Sequence, residues 1–200
     1  MTPLPRLVLF TRFPQPGRAK TRLIPALGAA GAAGLHRRLT EATLATLCAT
    51  GLDVEVWVTG APVEAFEDWL GAATIVRPQI EGDLGQRMAC ALDPAPSIIV
   101  GSDVPDLEAA HILTAAQLLA DGKVALGPAE DGGYYLLGLP VPAPYLFDAV
   151  EWGTNTVLVE TRRRLDTAGQ PYGLLPTLAD IDRPEDLARF PHLVPQGLLA

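Results

Sequence analysis

The stretch Ser97-Ile-Ile-Val-Gly-Ser-Asp-Val-Pro-Asp-Leu107 limits the possible folds of this chain more than any other, because an apolar run stops abruptly at a glycine and two carboxylates. Ile98, Ile99 and Val100 are consecutive β-branched residues, the pattern of a strand covered on both faces. Gly101-Ser102 then lets the backbone turn, and Pro105 suits the first position of a helix, where no N–H is needed. A strand buried on both sides belongs to a sheet with helices on each face. A carboxylate at its end lies on the edge where open α/β folds bind ligands. Asp103 and Asp106 would equally serve as helix caps, and the stretch alone leaves both roles open.

The rest of the chain repeats the alternation. Arg6 to Phe10, Asp53 to Thr59, Ala73 to Arg77, Lys123 to Gly127, the apolar run after Gly133 and Tyr172 to Leu175 read as strands. Between them, helical patterns cover Ala30 to Ala49, Pro62 to Leu70, a stretch ending near Leu92, one ending near Ala120 and Asn155 to Ala168, with a last one from Pro184 through Phe190. Strands separated by helices imply parallel crossovers, so one α/β domain with a mostly parallel sheet is predicted. Two hundred residues suffice for such a domain, which buries roughly 70% of its unfolded surface. Gly132-Gly133 fits either a hairpin turn or a close approach to a ligand.

Composition narrows the function. A net charge of −8 argues against general nucleic-acid binding, which depends on accumulated Lys and Arg. No apolar stretch approaches the roughly 20 residues of a membrane span. The N-terminal residues lack the basic and apolar regions of a signal peptide, so a cytoplasmic location is predicted. Cys48 and Cys90 form no Cys-x-x-Cys pair and are expected to be buried thiols in helices. His36, His111 and His192 show no metal-binding spacing and read as structural. Against the acidic background, Arg12, Arg18, Lys20 and Arg22 place four of the fifteen cations in a loop that also holds Pro14, Pro16 and Gly17, which points to a small anionic ligand.

Three further groups complete the candidate site. Asp83 and Arg87 flank a polar loop entering a helix, Asp131 precedes the paired glycines, and Asp180-Ile-Asp182 puts two carboxylates on one side of an extended segment. A basic loop, a lone carboxylate after a central strand and an Asp-x-Asp pair suit a diphosphate with a divalent cation. Mg²⁺ or Mn²⁺ would hold gathered carboxylates ionised, and Asp103 with Asp180 and Asp182 would be a sufficient protein contribution. Other motifs are missing. Ala19 stands where a P-loop needs glycine, no Gly-x-Gly-x-x-Gly follows the first strand, and Gly-x-Ser-x-Gly is absent.

Phe10-Thr-Arg-Phe-Pro-Gln-Pro-Gly-Arg-Ala-Lys-Thr-Arg-Leu23, Gly82-Asp-Leu-Gly-Gln-Arg-Met88, Gly101 to Leu107, Gly127-Pro-Ala-Glu-Asp-Gly-Gly-Tyr-Tyr-Leu-Leu-Gly138 and Asp180-Ile-Asp-Arg-Pro-Glu-Asp-Leu187 together resemble a bacterial family provisionally named glycosyltransferases. The family belongs to the nucleotide-diphospho-sugar transferase superfamily and is similar to the guanylyltransferases that make 2-phospholactate and molybdenum cofactors. The resemblance implies a GT-A fold, a Rossmann-like three-layer sandwich. It implies that Phe10, Arg12, Gly17, Arg18, Lys20 and Arg22, with Asp83 and Arg87, receive the nucleotide and its phosphates, Lys20 as the phosphate-contacting lysine. By the same resemblance Asp103, Asp180 and Asp182 hold the metal, and Asp131, Gly132, Tyr134 and Trp152 lie toward the acceptor or sugar. Ser102 departs from the Asp-x-Asp common in glycosyltransferases and cannot be a carboxylate ligand.

Three functions remain open on these residues. Glycosyl transfer from a nucleotide-diphospho-sugar to a small acceptor would use Asp131 or Glu130 as base. Nucleotidyl transfer from a nucleoside triphosphate to a phosphorylated acceptor would rest on the basic loop. A nucleotide-binding protein without turnover would keep the fold alone. The apolar tail from Leu193 to Ala200 could pack on the domain or on a second copy as a homodimer contact.

Overall fold

The structure, a computed structural model, describes residues 3–193. These form one α/β domain around a seven-stranded sheet with strand order β3-β2-β1-β4-β6-β5-β7. The strands are β1 (Arg6–Arg12), β2 (Val54–Thr59), β3 (Ile75–Pro78), β4 (Ser97–Gly101), β5 (Val124–Pro128), β6 (Tyr134–Leu139) and β7 (Tyr172–Leu174). The helices are α1 (Ile24–Cys48, broken at Gly28), α2 (Val63–Leu70), α3 (Leu84–Ala91), α4 (Ala109–Ala120) and α5 (Val157–Thr167).

Alternation along the strands builds two cores. Leu7 and Leu9 of β1, with Val56, Val58, Ile98 and Val100, face Leu47, Phe66 and Ile112 on α1, α2 and α4. Val8, Trp57, Ile99, Leu126 and Leu137 face Met88 of α3 and Leu165 of α5 on the other side. The result is the expected three-layer sandwich. A third core packs Leu27, Leu35 and Leu39 of α1 against Ile181, Leu187 and Phe190 near the C-terminal end of the described chain.

Buried polar groups tie the strands together at one end. Glu55 of β2 pairs with Arg6 of β1 and, at 3.0 Å, with Arg77 beside it on β3, and it accepts a 3.0 Å hydrogen bond from the Trp57 indole.

The strand pairs are parallel except around β6, which runs antiparallel to both β4 and β5. A parallel crossover needs a dozen or more residues. The turn 129–133 is too short for one, so the chain reverses as a hairpin and Gly132-Gly133 serves that turn. The sheet is thus mostly parallel, as expected, and of the two roles open to Gly132-Gly133 the hairpin turn is the one seen.

Two expectations are corrected. Pro105 opens a turn, and α4 starts four residues later after Glu108, because Val104 and Leu107 first dip into the core. Cys48 is exposed at the end of α1 and Cys90 half-buried, since both lie on the outer side of their helices. Among the described residues no helix is long and apolar enough to cross a membrane. The tail from 194 to 200 lies outside the described residues.

Candidate active site

The strand order reverses direction between β1 and β4, the point where doubly wound sheets bind ligands at their carboxyl ends. The two strands run parallel in register, Leu9 beside Val100 and Phe10 beside Gly101, so the loop after β1 and Asp103 after β4 emerge side by side. The C-terminal segment reaches the same edge by extending the sheet beyond β7. Leu178 bridges Ala129, its N–H donates to the Pro128 carbonyl at 3.1 Å, and the Ile181 N–H donates to the Asp103 carbonyl at 2.9 Å. With Ile181 fully buried, Asp180 and Asp182 flank it at the sheet edge.

Lys20 is the hub. Its backbone is left-handed, at φ 49° and ψ 47°, and its side chain is 4% exposed. The ammonium lies 2.9 Å from Oδ1 of Asp103 and 3.8 Å from Oδ1 of Asp182, and it donates to the Ile181 carbonyl. Asp182 also pairs with Arg22. His36 from α1 stands behind, with Nε2 3.0 Å from the Arg12 carbonyl and Nδ1 3.9 Å from Oδ1 of Asp103. Burial pushes the imidazole below its ordinary value, and the Asp103 charge only partly opposes that. Thr11 and Thr40 join their hydroxyls at 3.0 Å beside it.

Three cavities meet at these carboxylates. The first, about 300 Å³, is walled by Leu84, Met88, Val104, Tyr134 and Trp152 and reaches Asp103, Asp131 and Asp180. The second, about 400 Å³, shares Asp131 and Asp180 with the first and is otherwise charged or polar. The third, about 290 Å³, holds Arg12, Arg18, Lys20, Arg22 and His36 against Asp103 and Asp182.

Asp131 caps its own turn by accepting the Gly133 N–H at 2.8 Å. Gly132 has φ +89°, and a Cβ there would lie 2.2 Å from the Asn155 carbonyl oxygen, so this turn tolerates only glycine. Trp152 lies flat against Gly85 at the start of α3, where a Cβ would meet its indole at 2.7 Å. The Trp152 Nε1 is buried without a hydrogen-bond partner. Burial pushes the Tyr134 hydroxyl upward, and that of Tyr135 to about 12, so both phenols are protonated at neutral pH. Asp180 is half-buried, and burial followed by the charge of Asp131 raises its pKa.

The predicted residues thus separate into groups. Arg12, Arg18, Lys20 and Arg22 converge on the third cavity, and Asp131, Tyr134 and Trp152 on the first. Asp103, Asp180 and Asp182 stand at the junctions, yet they do not form a closed cage. Among the described residues no three acidic, histidine or cysteine side chains are gathered closely enough to hold a cation, because the Lys20 ammonium fills the gap between Asp103 and Asp182. Phe10, Gly17, Asp83 and Arg87 line none of the three cavities. Phe10 stacks on Trp57, Gly17 sits in a turn, Asp83 caps α3 by accepting the Gln86 N–H at 2.8 Å, and Arg87 donates to Gln79. His36, expected to be structural, is buried against the Arg12 carbonyl, and its other ring nitrogen also faces Asp103. Its only sequence signal is a polar residue on the buried stripe of α1.

The donor set suits a hard cation. Asp103 is 47% exposed while its Oδ1 is buried without a well-aligned hydrogen bond, so the other oxygen carries the open face. Mg²⁺ needs only one or two carboxylates beside waters and phosphate oxygens, and Asp103 with its neighbours meets that need.

A family profile described as "Uncharacterized protein conserved in bacteria (DUF2064)" matches residues 43–154, more than half of the chain. The chain belongs to this family. DUF2064 residues 43–154 include β4, Asp103, the hairpin turn and Trp152. No curated protein matches the chain in sequence. Among solved structures, a protein from Desulfovibrio desulfuricans G20, provisionally named a nucleotide-diphospho-sugar transferase, is 31% identical, with a TM-score of 0.84 over 89% of this chain and 82% of that one. Two more distant structures share the fold. A CMP:2-keto-3-deoxy-manno-octonic acid synthetase complexed with CTP is 17% identical, with a TM-score of 0.50 over 94% and 98% of the two chains. Glucosyl-3-phosphoglycerate synthase from Mycobacterium tuberculosis, complexed with Mn²⁺, uridine diphosphate and glucosyl-3-phosphoglycerate, is 12% identical, with a TM-score of 0.50 over 93% and 75%. The fold of this DUF2064 member is that of the nucleotide-diphospho-sugar transferases, shared with nucleotidyltransferases.

Proposed function

We propose that the protein is a metal-dependent transferase that moves the sugar of a nucleotide-diphospho-sugar to the hydroxyl of a small acceptor. The observation that carries this reading is the meeting of a basic cavity and an aromatic cavity on Asp103. A diphosphate fits the basic cavity, through the guanidiniums of Arg12, Arg18 and Arg22. A sugar fits the aromatic cavity, its apolar face toward Trp152 and Tyr134. The relative named as a nucleotide-diphospho-sugar transferase supports the same choice.

Asp103 would hold Mg²⁺ or Mn²⁺ through its open oxygen, with waters and the diphosphate oxygens completing the shell, and the cation would supply positive charge to the departing diphosphate. Lys20 fixes Asp103 and the 180–182 segment together and adds its own charge at the same place. Asp131 has one oxygen committed to Gly133, and it borders both the aromatic and the polar cavity. It takes the proton as the acceptor oxygen bonds to the anomeric carbon. The bond from that carbon to the diphosphate oxygen breaks, and nucleoside diphosphate leaves. Tyr134 and Trp152 close the sugar cavity against water.

One observation favours a second reading. Three arginines and a lysine around a cavity of about 290 Å³ also suit a triphosphate, as nucleotidyl transfer would require. Release assays with Mn²⁺ separate the two reactions. The proposal expects nucleoside diphosphate from nucleotide sugars, whereas pyrophosphate from nucleoside triphosphates with a phosphorylated acceptor would establish the alternative.

A further inference from the structure

The second cavity differs in kind from the other two. No apolar side chain faces its roughly 400 Å³. Its cations are Arg22, from the segment after β1, Arg183, which precedes the short 3-10 helix Pro184–Arg189, and Arg189 at the end of that helix. Five carboxylates oppose these three arginines, a net charge of two negative. Most of them are already engaged. Asp182 holds Arg22, and Glu130 holds Arg189 in a two-pronged pair with one contact of 2.9 Å. Asp186 accepts the backbone N–H groups of Asp182 and Arg183 at 3.0 and 2.7 Å. The remaining two, Asp131 and Asp180, make no ion pair among the described residues, nor does Arg183, and the two carboxylates form the wall shared with the aromatic cavity, leaving the unpaired groups one charge negative.

We infer that this cavity is the acceptor subsite, and that it takes a small, uncharged polyhydroxylated molecule held by the Glu130–Arg189 pair and Thr154. The inference rests on the transferase reading above and names its acceptor class. A hydroxyl both donates and accepts, so a polyol matches a fixed mixture of guanidinium, carboxylate and threonine groups. A carboxylate or phosphate would be driven against Asp131 and Asp180 at short range, where repulsion is weakly screened. A flat apolar molecule finds no face to stack on. Thr154 also borders both cavities, so a hydroxyl anchored there reaches the group held beside Trp152.

The test uses the full chain and two matched probes, myo-inositol and inositol monophosphate, read by saturation-transfer NMR without any nucleotide. Contact with myo-inositol is expected, weakened about tenfold in Arg189→Ala and in Thr154→Val, while the phosphate gives weaker contact. Stronger contact from the phosphate overturns the inference, as does no contact from either probe or contact unmoved by both substitutions. Thermal melts of the same variants confirm that they fold. Nucleotide-sugar binding with Mn²⁺ is measured in parallel. Its absence counts against the transferase reading, while its presence alongside a preference for the phosphate counts against the acceptor assignment alone.

Discussion

The Nζ of Lys20 stands 2.9 Å from Oδ1 of Asp103, joining the loop after β1 to the turn after β4 through a side chain that is almost wholly buried. The same ammonium donates to the Ile181 carbonyl, so three separate segments depend on one charge. Lys20→Met leaves a buried carbonyl without its donor and Asp103 without its partner. It is expected to destabilise the protein by about 1–3 kcal/mol even without ligand, measured by urea unfolding. Lys20→Arg is not expected to restore the loss, because a planar fork does not replace a compact ammonium. A variant as stable as wild type would move Lys20 out of this structural role.

Glu55 yields a pH prediction. Burial pushes its carboxyl up, but the Trp57 indole, Arg77 and Arg6 outweigh burial, so its pKa lies below the ordinary 4.5. A depressed carboxyl contributes stability above its unfolded pKa and loses it as pH falls through the folded value. Glu55→Gln is expected to cost about 1–3 kcal/mol at pH 7. The gap from wild type should close as pH falls below 4.5, followed by denaturant melts across pH 7 to 3.

Gly85 supports Trp152 by having no side chain. Gly85→Ala sets a methyl against the indole, which must move out of the aromatic cavity. The expected outcome is a changed tryptophan emission and an apparent affinity for the nucleotide sugar lowered roughly tenfold, with α3 still formed. An Ala variant that binds the donor normally would remove Trp152 from the sugar site.

Gly132 is held at φ +89° against the Asn155 backbone. Gly132→Ala is expected to cost more than about 1 kcal/mol, because the backbone angle and the contact both oppose a Cβ. Activity should fall further than stability alone explains, since the turn carries Asp131 between the two cavities. Parallel thermal melts and rate measurements check both parts.

Much of this architecture is legible in the residues because it is local. The β-branched run of β4 declares its element within a few residues. The basic loop and the Asp-x-Asp segment are visible in the same way, and the structure brings Arg12, Arg18, Lys20 and Arg22 to one cavity with Asp103 and Asp182. What sequence misses is pairing at a distance. The place of His36 depends on α1 crossing behind Asp103. The Glu130–Arg189 pair joins residues 59 positions apart. That Lys20 reaches protein oxygens as well as the basic cavity follows only from the left-handed backbone that turns its side chain inward. Asp83 shows the opposite case, where a residue plausible as a ligand contact is used by its own helix as a cap.

The most direct test of the account is the effect of Asp103→Asn on nucleotide binding with and without a divalent cation, measured by calorimetry on a panel of nucleotide-diphospho-sugars and nucleoside triphosphates. Wild type is expected to bind at least one of them with Mn²⁺ or Mg²⁺ and to lose that binding on chelation. The Asn variant, equally folded by thermal melt, is expected to lose the metal-dependent part, about tenfold or more in affinity. Nucleotide binding that is indifferent to the metal, and unchanged in Asp103→Asn, would contradict a metal-assisted transferase site at the end of β4.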